Sequence, residues 1–260
     1  MCLIAWNWQP DSATPLLLIG NRDEFYARPA QAMHWWEGEQ VLAGKDLQAG
    51  GTWLGLNRRG RLAVLTNYRS PGAQRSDAPS RGALVAGFLG GSLGVDEYLD
   101  ELAASAHRYN PFNLLLFDGR TLTGFESRNA KVVALKPGIA AVSNADFDTP
   151  WPKLLRFKEG LQVLQTADVQ TMPDNAFLAT MQDSQLAAQA DLPSTGIPLE
   201  RERALSAPFI ATPDYGTRAC SIVRMARQSA RVSEYSFDAR GATGQVRFEF
   251  AFEAPAGSGN

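Results

Sequence analysis

Short apolar stretches separated by turn residues predict paired strands in the first quarter of the chain. Residues 2–8 and 15–20 read as two strands joined by a linker rich in proline, aspartate and serine. Residues 52–57 and 61–67 predict a second hairpin, because Gly60 at its tip accepts the positive φ that a tight turn requires. Residues 26–39 show no clean period and are predicted to form a loop across an apolar surface.

Helical periodicity appears in the middle of the chain. Residues 82–88 are apolar and compact, and residues 95–102 place Val95, Tyr98, Leu99 and Leu102 on one helical face. A threonine followed by proline at 149–150 predicts a helix that runs to about residue 165, because this pair suits a helix start. A short helix is predicted around 175–181, whereas 68–80 and 192–206 are predicted to be exposed and irregular respectively.

Further strands are predicted on both sides of the later helices. They are residues 113–117, 121–125, 132–135, 140–143, 219–225, 232–237 and 245–252. Strands, then central helices, then strands indicate an α+β fold in which helices cover antiparallel sheets. No linker divides the chain, so residues 1–253 are expected to form a single domain, and 254–260 a flexible tail that frays.

Composition narrows the function classes. The 260 residues are 45% hydrophobic and 20% charged with a net charge of -2, which argues against a nucleic-acid partner. The first residues do not resemble a signal peptide, and no apolar run approaches the roughly 20 residues of a membrane span. Two cysteines far apart and two histidines predict neither a disulfide framework nor a metal site, so a reducing, cytoplasmic setting is expected.

Cys2 is the first candidate for chemistry. Removal of Met1 would leave a residue that carries both a thiol and a free α-amine. The reference pKa values of these groups lie near ~8.5 and ~7.7–8.0, so the amine can accept the thiol proton close to neutral pH. The alternative is that Cys2 opens a buried strand as a small hydrophobic residue.

A run of polar residues follows the second predicted strand. Arg22 could lower the pKa of the Cys2 thiol or hold a carboxylate, and Asp23 could accept a hydrogen bond from an α-ammonium. A hairpin would return this run to the end of the sheet where Cys2 lies. Alternatively, the four residues Asn21, Arg22, Asp23 and Glu24 form a solvated loop with an internal ion pair.

Together, these residues resemble a known family. Cys2 with the Asn-Arg-Asp-Glu run is similar to the NRDE-motif family, which includes the eukaryotic transport and Golgi organisation protein 2 homologues. Segments along most of the chain support the resemblance: 51–55, 66–69, 80–82, 109–113, 143–145, 148–151 and 215–218. More distantly, the order resembles the cysteine N-terminal nucleophile hydrolases of the penicillin V acylase and bile salt hydrolase group, which implies a four-layer αββα sandwich.

That second resemblance implies roles at matching positions. Cys2 matches the nucleophile, and Arg22 and Asp23 match an arginine and an aspartate beside it. Asn67 resembles an oxyanion-hole asparagine, Asn144 resembles a second asparagine, and Arg218 resembles a late arginine near the nucleophile. The family's Arg-Asn-x-Asp order is not copied, because this chain reads Asn21-Arg22-Asp23.

Two functions follow from these resemblances. The first is a hydrolase or acyl transferase that cleaves a linear amide or thioester through Cys2 and requires no cofactor. The second is a non-catalytic carrier, since eukaryotic family members are linked to haem trafficking and to acyl-coenzyme A or lipid metabolism. Candidate contacts for such an amphipathic ligand are Asn21, Glu24, His34, Trp35 and Trp36, although the aromatic side chains could equally be core residues.

Either histidine, His34 or His107, could serve as an axial haem ligand, or each could be structural.

Overall fold

Two antiparallel sheets form the centre of the computed structural model, which describes residues 2–38, 40–164 and 169–253. The first sheet has the order β10-β1-β2-β11-β12-β13 and the second has the order β3 to β9 in sequence. The strands of the first sheet are β1 (Cys2–Trp8), β2 (Leu16–Phe25), β10 (Gly138–Val142), β11 (Tyr215–Met225), β12 (Ser229–Asp238) and β13 (Gly241–Ala251). Those of the second are β3 (Ala30–Trp35), β4 (Val41–Asp46), β5 (Leu54–Asn57), β6 (Leu62–Asn67), β7 (Phe112–Phe117), β8 (Leu122–Glu126) and β9 (Lys131–Ala134).

Helices cover the outer face of each sheet. Helices α1 (Gly82–Gly90) and α2 (Val95–Ser105) share an apolar core with the second sheet. Helices α3 (Pro152–Leu164) and α4 (Asp174–Met181) share another with the first sheet, and a third core fills the space between the sheets. Each sheet therefore buries both faces, and the predicted α+β class and αββα sandwich are confirmed.

Three local predictions are wrong. Strand β3 lies within residues 26–39, where a loop was predicted; it is an edge strand with an irregular register against β4, so its sequence lacks clean alternation. Residues 192–206 contain the short helix α5 (Leu199–Ala204). Strand β2 continues through the Asn-Arg-Asp-Glu run to Phe25, because it pairs with β11 along its whole length.

The remaining predicted helices and strands correspond to observed elements with small shifts at their ends. The predicted end of α3 at residue 165 and the tail 254–260 lie outside the described residues.

A close glycine contact sets the position of α1 against the loop after β4. A Cβ added to Gly51 would lie 2.5 Å from the carbonyl carbon of Gly82, and Thr52 donates a backbone hydrogen bond to the Gly82 carbonyl. Only glycine permits this approach at position 51, because any Cβ there would overlap the backbone of Gly82.

We expect Gly51→Ala to lower the free energy of unfolding by about 1–3 kcal/mol, because α1 must move to relieve the overlap. Chemical denaturation of the variant and wild type measures this change. Gly72→Ala is the matched control, since nothing lies within 4 Å of its added Cβ, and it should change stability by less than about 0.5 kcal/mol. Equal stability of wild type and Gly51→Ala would contradict the close contact.

Candidate functional site

Cys2 lies in the wall of a large cleft at one end of the two sheets. It is the first residue of β1, and its side chain is 6% exposed. The cleft has a volume of about 820 Å³ and is lined by residues of both sheets and of the segment before α1. Cys2 is therefore buried at its sides and open to a space that can hold a ligand.

Strand register places the Asn-Arg-Asp-Glu run beside Cys2. Arg22 is the cross-strand partner of Cys2, and Asn21 is the partner of Leu3. Successive side chains of a strand point to opposite faces of the sheet, so Arg22 shares a face with Cys2 whereas Asn21 faces the helices. The polar run is thus part of a strand, and its alternation divides it between two environments.

Asn21 is fully buried on the helical side of the sheet. Its side-chain nitrogen donates to the carbonyl oxygens of Met181 at 2.7 Å and Pro208 at 2.9 Å. These bonds attach β2 to the end of α4 and to the segment before β11. The side chain does not line the cleft, so its predicted contact with a ligand is replaced by a structural role.

Asp23 is buried next to Cys2 and lines the cleft. The Thr217 hydroxyl donates to its Oδ1 at 2.8 Å, and the Tyr215 hydroxyl donates to its backbone carbonyl at 3.0 Å. Burial raises the pKa of the Asp23 carboxyl, and the nearby Lys153 charge opposes this rise. The hydrogen bond from Thr217 orients the carboxylate, and because it is buried, nearby cations are required to stabilise its negative charge.

Burial also controls the thiol. It raises the pKa of Cys2 to about 11, with the Asp23 charge adding to the rise and the Arg22 charge opposing it. A thiol with this pKa is protonated at neutral pH and is a poor nucleophile. Reaction at Cys2 therefore requires a base next to the sulfur.

Arg22 and Glu24 lie on the cleft wall. Nη2 of Arg22 is 3.5 Å from Oδ2 of Asp46, and Nε of Arg28 donates to the same oxygen at 2.7 Å. Two guanidinium groups thus share one carboxylate. The long Arg22–Asp46 separation leaves Arg22 available to a ligand anion.

The two predicted asparagines are in contact near Cys2 but have different environments. Asn67 ends β6 and lines the cleft, whereas Asn144 is fully buried. Nδ2 of Asn144 donates to the backbone carbonyl of Asn67 at 2.8 Å, and its Oδ1 accepts from Nζ of Lys153 at 3.2 Å. Ser143 Oγ lies 3.3 Å from the Cys2 carbonyl oxygen and joins the same group. Asn144 thus positions Asn67, and Asn67 is the asparagine that faces the cleft.

Arg218 lines the cleft, and its guanidinium is engaged by backbone carbonyls. Its Nε donates to Phe237 at 3.0 Å, and its Nη1 donates to Phe25 at 3.0 Å, Arg28 at 3.1 Å and Tyr26 at 3.2 Å. These bonds hold the segment after β2 against β12. The geometry gives Arg218 an organising role at the cleft rim.

The predicted aromatic ligand contacts lie away from the cleft lining. Trp35 packs against the core between the sheets, with Arg58 over its ring, and Trp36 packs against the outer core and donates to the Ala43 carbonyl at 3.1 Å. His34 lies 2.9 Å from the Ala32 carbonyl. His34 and the exposed His107 are both absent from the cleft lining.

Two basic residues near Cys2 were not among the predicted catalytic and ligand-contact residues. Lys153 is 1% exposed in α3, and Arg81 precedes α1 and lines the cleft. Burial lowers the pKa of Lys153 to about 8 and also lowers the pKa of Arg81. A signal for Lys153 was present, because it shares a four-residue spacing with the core residues Phe157 and Leu161.

The described residues contain neither a cluster of three or more metal-binding side chains nor a helix long and apolar enough to cross a membrane.

Comparisons with known proteins agree with this architecture. A solved structure of the Caenorhabditis elegans N-acylethanolamine-hydrolyzing acid amidase ortholog matches with a TM-score of 0.50 at 10% identity, covering 87% of this chain and 93% of that chain. At this identity the match supports a shared fold, which is that of the N-terminal nucleophile hydrolases.

Sequence relatives match over most of their length. The Transport and Golgi organization protein 2 homolog of Bos taurus is 35% identical over 244 residues, and that of Homo sapiens is 34% identical over 246. Each match covers 86% of this chain and 88% of the relative. The family description Transport and Golgi organisation 2 matches residues 1–237. The chain therefore belongs to the Transport and Golgi organisation 2 family.

Proposed function

We propose that this protein is an N-terminal nucleophile hydrolase or acyl transferase that cleaves a linear amide or thioester through Cys2. The observation that supports the proposal most is the meeting of Cys2, Arg22, Asp23 and Asn67 at one end of a cleft of about 820 Å³. These side chains come from β1, β2 and β6, and each has a distinct use in acyl transfer.

The reaction begins with proton transfer from the thiol. Once Met1 is removed, the α-amine of Cys2 accepts the thiol proton, and the sulfur attacks the substrate carbonyl carbon. The α-amine is thus the base that the high thiol pKa requires, and Asp23 orients the ammonium that results. The C–S bond forms as the carbonyl π bond opens to an oxyanion.

Collapse of this intermediate completes the first half of the reaction. The Asn67 amide donates to the oxyanion, and the ammonium returns its proton to the leaving amine or thiol as that bond breaks. Water or a second acceptor then attacks the acyl carbon on Cys2, and the α-amine accepts the proton of the attacking group. The C–S bond breaks, and the Cys2 thiolate leaves and regains its proton from the ammonium. Arg22, with its long ion pair to Asp46, holds an anionic group of the substrate.

The test combines intact mass with turnover of an N-acyl aminomethylcoumarin amide, because free thiols do not cleave amides. We expect loss of Met1, release of the fluorophore and a transient acyl adduct on Cys2. Cys2→Ala should abolish release, whereas Cys220→Ala should retain it because Cys220 is fully buried on the helical side of the sheet. Equal release by wild type and Cys2→Ala would overturn the proposal.

A second candidate is a carrier that binds an amphipathic anion in the same cleft. The size of the cleft and its basic residues support it: Arg22, Arg28, Lys45, Arg75, Arg81 and Arg218. An acyl thioester with an anionic group suits this lining better than a histidine-bound haem, because neither histidine lines the cleft.

Calorimetric titration with haem and with a long-chain acyl-coenzyme A tests the carrier. Saturable binding that Cys2→Ala retains, without turnover in wild type, would favour the carrier over the enzyme. Absence of a saturable signal for both ligands would exclude it.

A further inference from the structure

A buried charged cluster lies beside Cys2 on the helical side of the first sheet. Lys153 enters it from α3, and its Nζ donates to Oδ1 of Asn144 at 3.2 Å. Asn144 in turn donates to the Asn67 carbonyl at 2.8 Å, and Ser143 Oγ links its Oδ1 to the Cys2 carbonyl with two distances of 3.3 Å. A short chain of polar contacts thus connects the lysine to the first residue of β1.

A fully buried lysine is unusual, because removing an ammonium from water is expensive without anionic partners. Asp23 provides such a partner and has Lys153 as its strongest opposing charge. The ion pair between Arg69 and Glu202, with side chains 5% and 3% exposed, closes the other side of the cluster. The titratable and charged groups that face Lys153 are Cys2, Asp23, Arg69 and Glu202.

The contacts of Lys153 do not resemble those of a surface lysine that covers a core. Its neighbours on the same helical stripe, Phe157 and Leu161, pack into the apolar core, whereas its own amine reaches the polar end of the sheet. A methionine of similar length would fill the space without desolvating a charge. The charge itself therefore has a use at this position.

We propose that Lys153 is a positioning residue of the Cys2 site, whose ammonium acts through Asn144 and Asp23 to favour the thiolate of Cys2. The inference rests on the proposed nucleophilic role of Cys2 and assigns to Lys153 the control of when that nucleophile forms. The Lys153 ammonium has the same charge as a protonated Cys2 α-amine. It therefore disfavours protonation of that amine by solvent and keeps the amine free to accept the thiol proton.

The surroundings of Cys2 determine the direction of the effect. The titratable and charged groups that face it are Arg22, Asp23, Glu24, Arg81, Tyr215 and Lys153. Arginines keep their charge throughout the working range, whereas Lys153 loses its proton near pH 8. Below pH 8, removing the Lys153 charge leaves the anions Asp23 and Glu24 less compensated, so a smaller fraction of Cys2 is present as thiolate.

The test is the pH dependence of Cys2 alkylation by iodoacetamide, followed by peptide mass in wild type, Lys153→Met and Lys153→Arg. Below pH 8, where Lys153 is charged, Lys153→Met should slow alkylation about tenfold, and above pH 8, where the wild-type lysine is neutral, the two rates should converge. Lys153→Arg should match wild type below pH 8 and should alkylate at least as fast above it. A rate below pH 8 that is unchanged in Lys153→Met, or slowed equally in both variants, would overturn the proposal.

Circular dichroism and thermal unfolding check that each variant folds. If Lys153→Met does not fold, Lys153→Arg decides, because alkylation slower than wild type below pH 8 contradicts a role for the charge. In an Asp23→Asn background the slowing caused by Lys153→Met should shrink, since the two groups act through each other. Alkylation requires no turnover, so a shifted profile in a protein that cleaves no amide would remove the proposed function and keep this inference.

Discussion

Replacement of Asp23 by asparagine is expected to slow acylation of Cys2 by about 10²–10⁴-fold, the range of a positioned acid or base. The substitution keeps the size of the side chain and its acceptor for the Thr217 hydroxyl, which donates at 2.8 Å. It removes the negative charge that is proposed to orient the α-ammonium of Cys2. The rate of fluorophore release before and after substitution, at saturating substrate, measures the effect.

Glu24→Gln is the matched control for Asp23→Asn. Glu24 follows Asp23 on β2 and lines the same cleft, and Glu24→Gln removes one negative charge, as Asp23→Asn does. Its carboxylate accepts from the backbone of Phe25 instead of entering the buried cluster. A loss of activity as large in Glu24→Gln as in Asp23→Asn would show that charge in the cleft, and not the position of Asp23, matters.

Replacement of Arg224 by alanine is expected to lower the free energy of unfolding by about 3–5 kcal/mol, as for other buried ion pairs that lose one partner. Arg224 is 1% exposed in β11 and donates to Asp174 Oδ1 at 2.8 Å. It also donates to the carbonyls of Val169 at 2.8 Å and Met172 at 3.0 Å, just before α4. Its loss leaves a carboxylate and two carbonyls without these donors.

Chemical denaturation of Arg224→Ala and of Arg227→Ala tests this expectation. Arg227 is exposed and donates to the Pro10 carbonyl at 3.3 Å, so its removal should change stability by less than about 0.5 kcal/mol. Similar stability of the two variants would contradict the anchoring of α4 by Arg224.

The relation between sequence and site is clearest in the first hairpin. Short apolar stretches and turn residues were sufficient to predict β1 and the start of β2, because a local hairpin brings its two strands together without other elements. The hairpin register then places Arg22 directly across from Cys2. The meeting of Cys2 with Arg22 and Asp23 was therefore accessible from sequence.

The different environments of the residues in the Asn-Arg-Asp-Glu run could not be predicted from the sequence. The sequence prediction ended β2 before Asn21, whereas pairing with β11 extends the strand and directs Asn21 to the helical face. Pairing over such a distance along the chain depends on which strand becomes the neighbour, and local propensity does not contain that information. Trp35 and Trp36, adjacent in sequence, pack into cores on opposite faces of their sheet because side chains alternate along an extended chain, and the predicted loop did not include that extension.

The sequence by itself determined the α+β class, most strands and helices, and the hairpin that presents Cys2, since periodicity and turn chemistry act over a few residues. Tertiary structure decided the course of β3, the short helix α5 and the contents of the buried cluster. Lys153, Asn144 and Arg69 meet Asp23 only when α3 and the loops after β6 and β10 pack on the sheet. Burial then lowers the pKa values of Lys153 and Arg69 and raises that of Asp23, because desolvation depends on every layer of the fold at once.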